Sequence, residues 1–150
     1  MVKRISIEDF KTRDAHELVY HMSVQSLLDL KSIHGRVDVS DVLEAVNLSV
    51  FCKSVFFGTH LAYIVIGIPS SDSGQTNMFL YATTEGYSKI SMVRESIFSL
   101  INDLRKDKIC SMVYKGNKKL QALLKANGFE YNKSLCFGKE NRTFCLFVRE

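Results

Sequence analysis

The sequence lacks the patterns that identify secreted, metal-binding or membrane proteins. Its cysteines form no C-x-x-C pair, and no histidine stands at metal-ligand spacing from any of them. No apolar run approaches the roughly 20 residues of a membrane-spanning helix, and MVKRISIEDF has no apolar signal core or cleavage-site pattern. We therefore predict a cytoplasmic protein without a metal site. Its four cysteines are predicted to be reduced and packed in the core: Cys52, Cys110, Cys136 and Cys145.

The composition is that of an ordinary folded domain. Of 150 residues, 46% are hydrophobic and 24% are charged, which excludes a disordered chain. This length suits one hydrophobic core, and no linker or internal repeat divides the chain. Residues 1–150 are therefore predicted to form a single domain.

The net charge is unevenly distributed. Residues 1–104 carry 9 basic and 12 acidic side chains, net −3, whereas residues 105–150 carry 11 basic and 4 acidic, net +7. A basic third can face nucleic acid, an acidic partner or a phosphorylated cofactor, or it can be a solvated lysine-rich surface. No nucleic-acid-binding motif accompanies these lysines.

Apolar periodicity and turn residues divide the chain into eleven predicted elements. They are a strand from Val2 to Ile7, a helix from Asp14 to His34, a helix capped at Ser40–Asp41, a hairpin between Leu48 and Ile68, a strand from Met78 to Thr84, a helix over 91–106, a strand from Ile109 to Tyr114, a helix over 117–126 and two closing strands in 129–148.

This order predicts a mixed α/β fold of the α+β type. The strand–helix–strand step from Met78–Thr84 to Ile109–Tyr114 implies a parallel pair with a right-handed crossover, and the hairpins imply antiparallel neighbours. We expect about seven mostly antiparallel strands with helices on both faces. The last strand, TFCLFV, is apolar on both faces and is expected inside the sheet. Gly128 is predicted to end the preceding helix at positive φ.

The element order, the segment N-x-x-L-x-x-L-L-x-x-x-G-F (Asn117 to Phe129) and the two closing strands resemble the GNAT acetyltransferases. By order of elements the resemblance spans nearly the whole chain, and by motif it lies in residues 78–148. The run from MFLYATTEGYSK to TFCLFV is also similar to the acetyltransferase-like internal virion proteins of short-tailed bacteriophages. The resemblance implies that the fourth and fifth strands splay apart and that acetyl-CoA binds between them.

The resemblance also implies which residues would hold acetyl-CoA. Backbone groups of the fourth strand would pair with the pantetheine arm, and amides at the next helix start would hold the pyrophosphate. The matching positions are Tyr81, Ala82, Thr83, Ser88, Lys89, Ser91 and Asn117. Two alternatives remain open: the segment 84–91 can be an ordinary turn with capping serines, and Asn117 can be a helix N-cap.

Two parts of the family pattern are missing. The loop after the fourth strand carries one glycine, Gly86, and no Q/R-x-x-G-x-G/A. The tyrosine that protonates the leaving thiolate in the family is replaced by Leu124, which cannot donate a proton. Tyr114 or Tyr131 could substitute from another direction, although strand packing explains both. Glu85 is the candidate base, and a surface carboxylate is its alternative reading.

Two functions follow from these expectations. The first is a GNAT-fold protein with a degenerate acetyl-CoA site and a structural or interaction role, phage-encoded and found in the host cytoplasm or the virion, with a phage or host protein as partner. The second is an active N-acyltransferase that uses acetyl-CoA in a divergent site. Nucleic acid is a weaker candidate partner, through the basic C-terminal third.

Overall fold

A computed structural model describes residues 4–70, 74–103 and 108–150. The strands are β1 (Ile5–Asp9), β2 (Phe51–Phe57), β3 (His60–Pro69), β4 (Gln75–Ala82), β5 (Lys108–Tyr114), β6 (Glu130–Phe137) and β7 (Arg142–Arg149). The helices are α1 (Thr12–Tyr20), α2 (Val24–His34), α3 (Val39–Leu48), α4 (Thr84–Ser88), α5 (Ile90–Asp103) and α6 (Lys118–Ala126). Within these described ranges, no helix is long and apolar enough to cross a membrane.

The predicted fold class is confirmed. In the described residues, seven strands form one sheet in the order β1-β2-β3-β4-β5-β7-β6. The β4–β5 pair is parallel and every other neighbouring pair is antiparallel. The last strand lies between β5 and β6, as its apolar residues on both faces predicted. On one side of β7 Cys145 and Phe147 are buried, whereas on the other side Leu146 and Val148 are half-buried.

Helices cover both faces of the sheet. On one face, α5 and α6 bury a large apolar cluster that includes Val93, Ile97 and Leu124. On the other, α1, α2 and α3 bury a second cluster that includes Leu18, Leu30 and Val42. The turn after β6 also holds α2, because the amides of residues 139 and 140 donate to carbonyls at the end of that helix.

Three predicted boundaries are wrong. The helix predicted from Asp14 to His34 is two helices, separated at His21–Ser23. The cap predicted at Ser40–Asp41 lies two to three residues too late, because Asp38 is the N-cap and its side chain accepts from the amide of Ser40. The fourth strand begins at Gln75 rather than Met78 and ends at Ala82, where Thr83 caps α4. Residues 2–3 of the strand predicted from Val2 to Ile7, and residues 104–106 of the helix predicted over 91–106, lie outside the described residues.

The cysteine prediction holds only in part. All four thiols are free, and Cys110 and Cys145 are buried as expected. Cys52 is half-buried, and burial raises its pKa to about 12. Cys136, however, is exposed on β6. This strand is at the edge of the sheet, so an apolar sequence neighbourhood does not ensure burial there.

Gly128 has φ = 84°, as predicted. The amide of Phe129 donates to the Leu124 carbonyl at 3.0 Å and that of Gly128 to the Lys125 carbonyl at 3.1 Å, the two bonds of a Schellman motif. A Cβ would meet nothing closer than the Arg149 side chain at 3.9 Å, so the backbone conformation alone opposes substitution. Gly128→Ala is expected to lower the free energy of unfolding by about 1 kcal/mol, measured by urea denaturation. A variant as stable as the wild type would contradict this.

Candidate functional site

The parallel strands β4 and β5 separate after a short pairing. Their register joins Gln75 to Lys108 and continues only as far as Asn77 and Cys110. One residue further, Ser111 Oγ donates to the Met78 carbonyl at 3.0 Å. The rest of both strands, up to Ala82 and Tyr114, forms the two sides of a cleft, which we call the splay.

Residues 21–26 of this chain meet the β4 side of the splay. The amide of Ala82 donates to Ser26 Oγ at 2.8 Å, and the Ala82 carbonyl accepts from the amide of Ser23 at 3.0 Å. The amide of Thr84 then donates to the His21 carbonyl at 2.8 Å. The residues that link α1 to α2, together with the first turn of α2, therefore supply hydrogen-bond partners for backbone groups at the end of β4 that do not pair with β5. These bonds interrupt the long helix that the sequence predicted.

Asp29 of α2 meets the β5 side of the splay. Its Oδ1 accepts from the amide of Tyr114 at 3.2 Å, and its carboxylate also accepts from the side chain of Asn117. The side chain is 5% exposed. Burial raises the pKa of Asp29 to about 7, against the lowering effect of the two hydrogen bonds. The same carboxylate contributes to the raised pKa of the buried Tyr81.

A tyrosine bridges the helices on the other face of the splay. Tyr87 of α4 donates its hydroxyl proton to Asn117 Oδ1 at 3.1 Å, and Lys119 Nζ lies 5.0 Å from the centre of the Tyr87 ring. Burial raises the pKa of Tyr87. Tyr63 is 1% exposed, and its hydroxyl has no hydrogen-bond partner among the described residues. Burial, with a smaller contribution from Tyr87, raises the pKa of Tyr63.

The residues predicted for the cofactor arm are already engaged within the fold. Tyr81 is buried on the α2 face of the sheet, and both backbone groups of Ala82 are bonded as described above. Asn117 is the N-cap of α6, where its Oδ1 accepts from the amide of Leu120 at 3.4 Å. The N-cap alternative for Asn117 therefore describes its contacts in the structure.

The predicted pyrophosphate segment forms its own short helix. Thr83 caps α4: its Oγ1 donates to the Leu61 carbonyl at 2.7 Å and accepts from the Gly86 amide at 3.1 Å. Ser88 Oγ donates to the Glu85 carbonyl at 2.9 Å. Lys89 Nζ donates to Glu85 Oε1 at 2.8 Å and lies 4.6 Å from the Phe57 ring centre.

Two further positions complete this segment. Ser91 is exposed in the first turn of α5. Gly86 lies so close to β3 that an added Cβ would be 2.1 Å from the Ala62 carbonyl oxygen. The single glycine of this segment thus allows α4 to pack on the sheet.

Glu85, the predicted base, faces a different cleft. A cavity of about 560 Å³ opens between the end of α1, the start of β3 and α4, lined in part by Glu17, His21, His60 and Glu85. Glu85 Oε2 lies 3.8 Å from His60 Nδ1. No residue of β5 lines this cavity. The structure therefore places Glu85 in a different cleft from Asp29 and its partners Tyr114 and Asn117.

The candidate proton donors also lie apart. Leu124 is fully buried among the apolar side chains under α5 and α6, so its position belongs to the core. Tyr131 is 52% exposed on β6, where its hydroxyl meets Ser134 Oγ at 2.7 Å. Tyr114 packs edge-on against Phe144. Of these, only Tyr114 borders the splay, and it does so through its backbone amide.

Sequence reasoning missed Ser26, Asp29 and Tyr87. One signal was present for Asp29: it is a carboxylate inside the apolar run LLDL of a predicted helix. A charged residue on an apolar helical stripe is buried at a cost unless something binds it. The sequence did not reveal which residues bind it, because its partners Tyr114 and Asn117 are more than 80 positions away along the chain. Nowhere in the described residues do three or more His, Cys, Asp or Glu side chains lie close enough together to hold a metal ion.

Comparison with solved structures identifies the fold. The chain matches a GNAT-family acetyltransferase from Bacillus anthracis at TM-score 0.72 and 10% identity, covering 99% of this chain and 95% of that one. It matches the ribosomal-protein-S18-alanine N-acetyltransferase of Escherichia coli at 0.70 and 12%, covering 97% and 93%. It matches yncA of Salmonella typhimurium, solved with its cofactor acetyl-CoA, at 0.72 and 16%, covering 97% and 93%.

Sequence comparison adds no further assignment. No protein-family model matches the sequence, and a comparison with curated proteins finds no match. TM-scores of 0.70–0.72 over nearly the whole of both chains show a shared fold, and identities of 10–16% leave the activity to be argued from the site. On its strand order, its β4–β5 splay and these neighbours, this chain has the fold of the GNAT acetyltransferases.

Proposed function

We propose that this chain is an interaction protein built on a GNAT fold, in which its own helix α2 fills the place where acetyl-CoA would bind. The observation that carries the proposal is the pairing of Ser26 and Ser23 with the backbone of Ala82. Those are the strand groups through which, by resemblance, the pantetheine arm would be held. Asp29 fills the opposite side of the splay, against the Tyr114 amide.

Energetics supports this proposal. A cofactor arm that displaced the start of α2 would have to replace two buried hydrogen bonds, each with a net value of about 1 kcal/mol. It would also expose part of the apolar surface that Leu30 buries, which costs about 1.5–3 kcal/mol for a complete side chain. A total of roughly 2–5 kcal/mol would weaken acetyl-CoA binding at least about thirtyfold.

Calorimetric titration with acetyl-CoA tests the proposal. We expect no binding heat at tens of micromolar, no rise in melting temperature, and thiol release at background with small amines or peptides as acceptors. Tight binding to the native state would raise the melting temperature by mass action. Micromolar binding would contradict the proposal.

An active N-acyltransferase is the second candidate, because the splay is retained and one structural neighbour holds acetyl-CoA. This function requires both binding and turnover. If turnover is found, Glu85→Gln should lower it, whereas Glu95→Gln, exposed on α5, should not. Loss on Glu85→Gln alone would establish the enzyme and replace our proposal.

We further propose that the chain is phage-encoded, acts in the host cytoplasm or the virion, and has a phage or host protein as its partner. This part rests on the resemblance of residues 78–148 to internal virion proteins of short-tailed bacteriophages. Immunoblotting of purified particles with an antibody against this chain tests it. A chain found in infected cells but never in particles would contradict virion association.

A further inference from the structure

On the sheet face that carries α1, α2 and α3, helix α2 contacts the C-terminal ends of β4 and β5 at Ala82 and Tyr114. Beside the N-terminal halves of these two strands lies a groove of about 460 Å³, which we call the β5–β7 groove. Its described lining residues all belong to strands. Its apolar floor consists of Phe79, Cys110, Met112, Phe137, Leu146 and Val148.

The strand register explains why these side chains share one face. Cys110 pairs with Val148, and Met112 pairs with Leu146, so all four project to the same side. Most of the floor is partly open to solvent: Phe137 is 36% exposed, and Phe79 and Met112 are half-buried. The volume of the groove is within the range of about 300–1,000 Å³ of small-molecule pockets, which are also lined mainly by apolar side chains.

The described charged residues of the groove have one sign. Lys108 and Lys133 line it together with neutral amides, and no acidic side chain lines it within residues 4–70, 74–103 and 108–150. Lys133 stands directly opposite Leu146 in the register. Glu150 is near enough to Cys110 to contribute to its raised pKa, but it does not line the groove. The described residues 108–150 carry 9 basic and 3 acidic side chains, but Lys118, Lys119 and Lys125 belong to α6 on the opposite face, which leaves 6 basic and 3 acidic side chains, net +3.

From this combination we propose that the β5–β7 groove binds an amphipathic protein segment with apolar residues on one face and acidic residues beside them. Apolar side chains of the partner would contact Met112, Leu146 and Phe137, and its carboxylates would reach Lys108 and Lys133. Such segments bind grooves as helices with anchors at i, i+3, i+4 and i+7. Complementary charge sets the choice of partner and raises the rate of association.

A second copy of this chain fits the groove less well. A two-fold interface places the same patch on both subunits. The patch that contains Lys108 and Lys133 would then face the same basic patch of the other copy, and like charges at an interface are unfavourable. The charge of the groove thus favours an acidic partner over self-association.

The experiment uses fluorescence anisotropy with two labelled amphipathic peptides. Both carry the same leucines at i, i+3, i+4 and i+7; one has glutamates on its polar face and the other lysines. We expect micromolar binding of the acidic peptide, at least about tenfold weaker binding of the basic peptide, and weaker acidic binding at high salt. Equal affinity for the two peptides, or no binding of the acidic one, would overturn the proposal.

Variants assign the binding to this groove. Lys108→Glu with Lys133→Glu should reverse the preference between the peptides, and Leu146→Asp should abolish binding. To detect any loss of folding in Leu146→Asp, its circular dichroism and melting curve are compared with the wild type, and the double lysine variant gives an independent result. Lys125→Glu, exposed on α6 on the opposite side of the sheet, is the matched control and should bind normally.

One further outcome would assign the surface differently. Sedimentation that shows a dimer of the wild type, dissociated by the double lysine variant, would make a second copy the occupant and reject the acidic partner. This inference relies on the proposed function in one respect, namely that the chain acts by binding another protein. The acetyl-CoA titration is independent of it, because the groove and the splay share none of the substituted residues.

Discussion

Asp29→Asn is expected to flatten the pH dependence of the free energy of unfolding between about pH 4 and pH 7. The pKa of this carboxyl is raised from 3.8 to about 7 in the folded protein, mainly by burial. Below pH 3.8 the group is protonated in both the folded and the unfolded state, so the free energy of unfolding has its highest value with respect to this group. As the pH rises towards 7, the unfolded chain releases a proton that the folded chain keeps, and the free energy of unfolding falls.

The expected effect is large for one residue. The slope is about 1.4 kcal/mol per pH unit, which amounts to roughly 4 kcal/mol over the interval. Above pH 7 the carboxyl is ionised in both states and the slope ends. Asp9 and Asp38 have lowered pKa values, so the stability they contribute is lost only below about pH 4, outside this interval.

Urea denaturation at four pH values from 4.5 to 7.5 measures the slope. The wild type should lose stability steadily, and Asp29→Asn should not. Asp103→Asn is the matched control, because that side chain is exposed at the end of α5, and its slope should equal that of the wild type. An unchanged slope in Asp29→Asn would mean that the carboxyl is not buried in the splay.

The position of Asp29 relates this measurement to function. A buried carboxyl that titrates near neutral pH is also what a general acid or base requires, and such groups concentrate at functional sites. The acetyl-CoA titration separates the two readings. With no cofactor bound, Asp29 is an internal occupant of the splay. With cofactor bound and turnover, it becomes a candidate base that lies closer to the splay than Glu85 does.

The sheet was predictable because its signals are local. A strand that is apolar on both faces, such as Thr143–Val148, has to lie inside the sheet, and a strand–helix–strand step implies a parallel pair. The left-handed turn at Gly128 was predictable for a similar reason, since glycine adopts positive φ without a Cβ clash. These features depend on a few neighbouring residues.

The site was not predictable because its contacts are distant in sequence. Nothing between Tyr20 and Val24 is a glycine or proline, and the helix breaks there because Ser23 bonds to Ala82 instead. Glu85 looked like a base beside the cofactor, but its position in the short helix α4 turns it towards His60. Asp29 was not predicted as a site residue because it accepts a hydrogen bond from the amide of Tyr114, which is 85 residues away along the chain. The sequence therefore predicted the order and pairing of the strands better than it predicted the side chains that line the splay.

Gly86→Ala is expected to destabilise the protein by about 3 kcal/mol. An added Cβ would lie 2.1 Å from the Ala62 carbonyl oxygen and 2.6 Å from the carbonyl carbon, closer than non-bonded atoms approach. Both obstacles are backbone atoms of the central strand β3, so relief requires that α4 moves away from the sheet. That movement would also strain the bond from Thr83 Oγ1 to the Leu61 carbonyl.

Urea denaturation of Gly86→Ala beside Gly128→Ala separates a steric effect from a conformational one. Gly128 lies in open space at positive φ and should cost about 1 kcal/mol, whereas Gly86 should cost about three times as much by overpacking. Equal losses would show that α4 moves freely on β3. The glycine would then be available to bring backbone amides close to a phosphate, as glycines do in the loops this segment resembles, and the case for an occluded cofactor site would weaken. A large loss would assign this glycine to packing and support our proposal that the segment is structural.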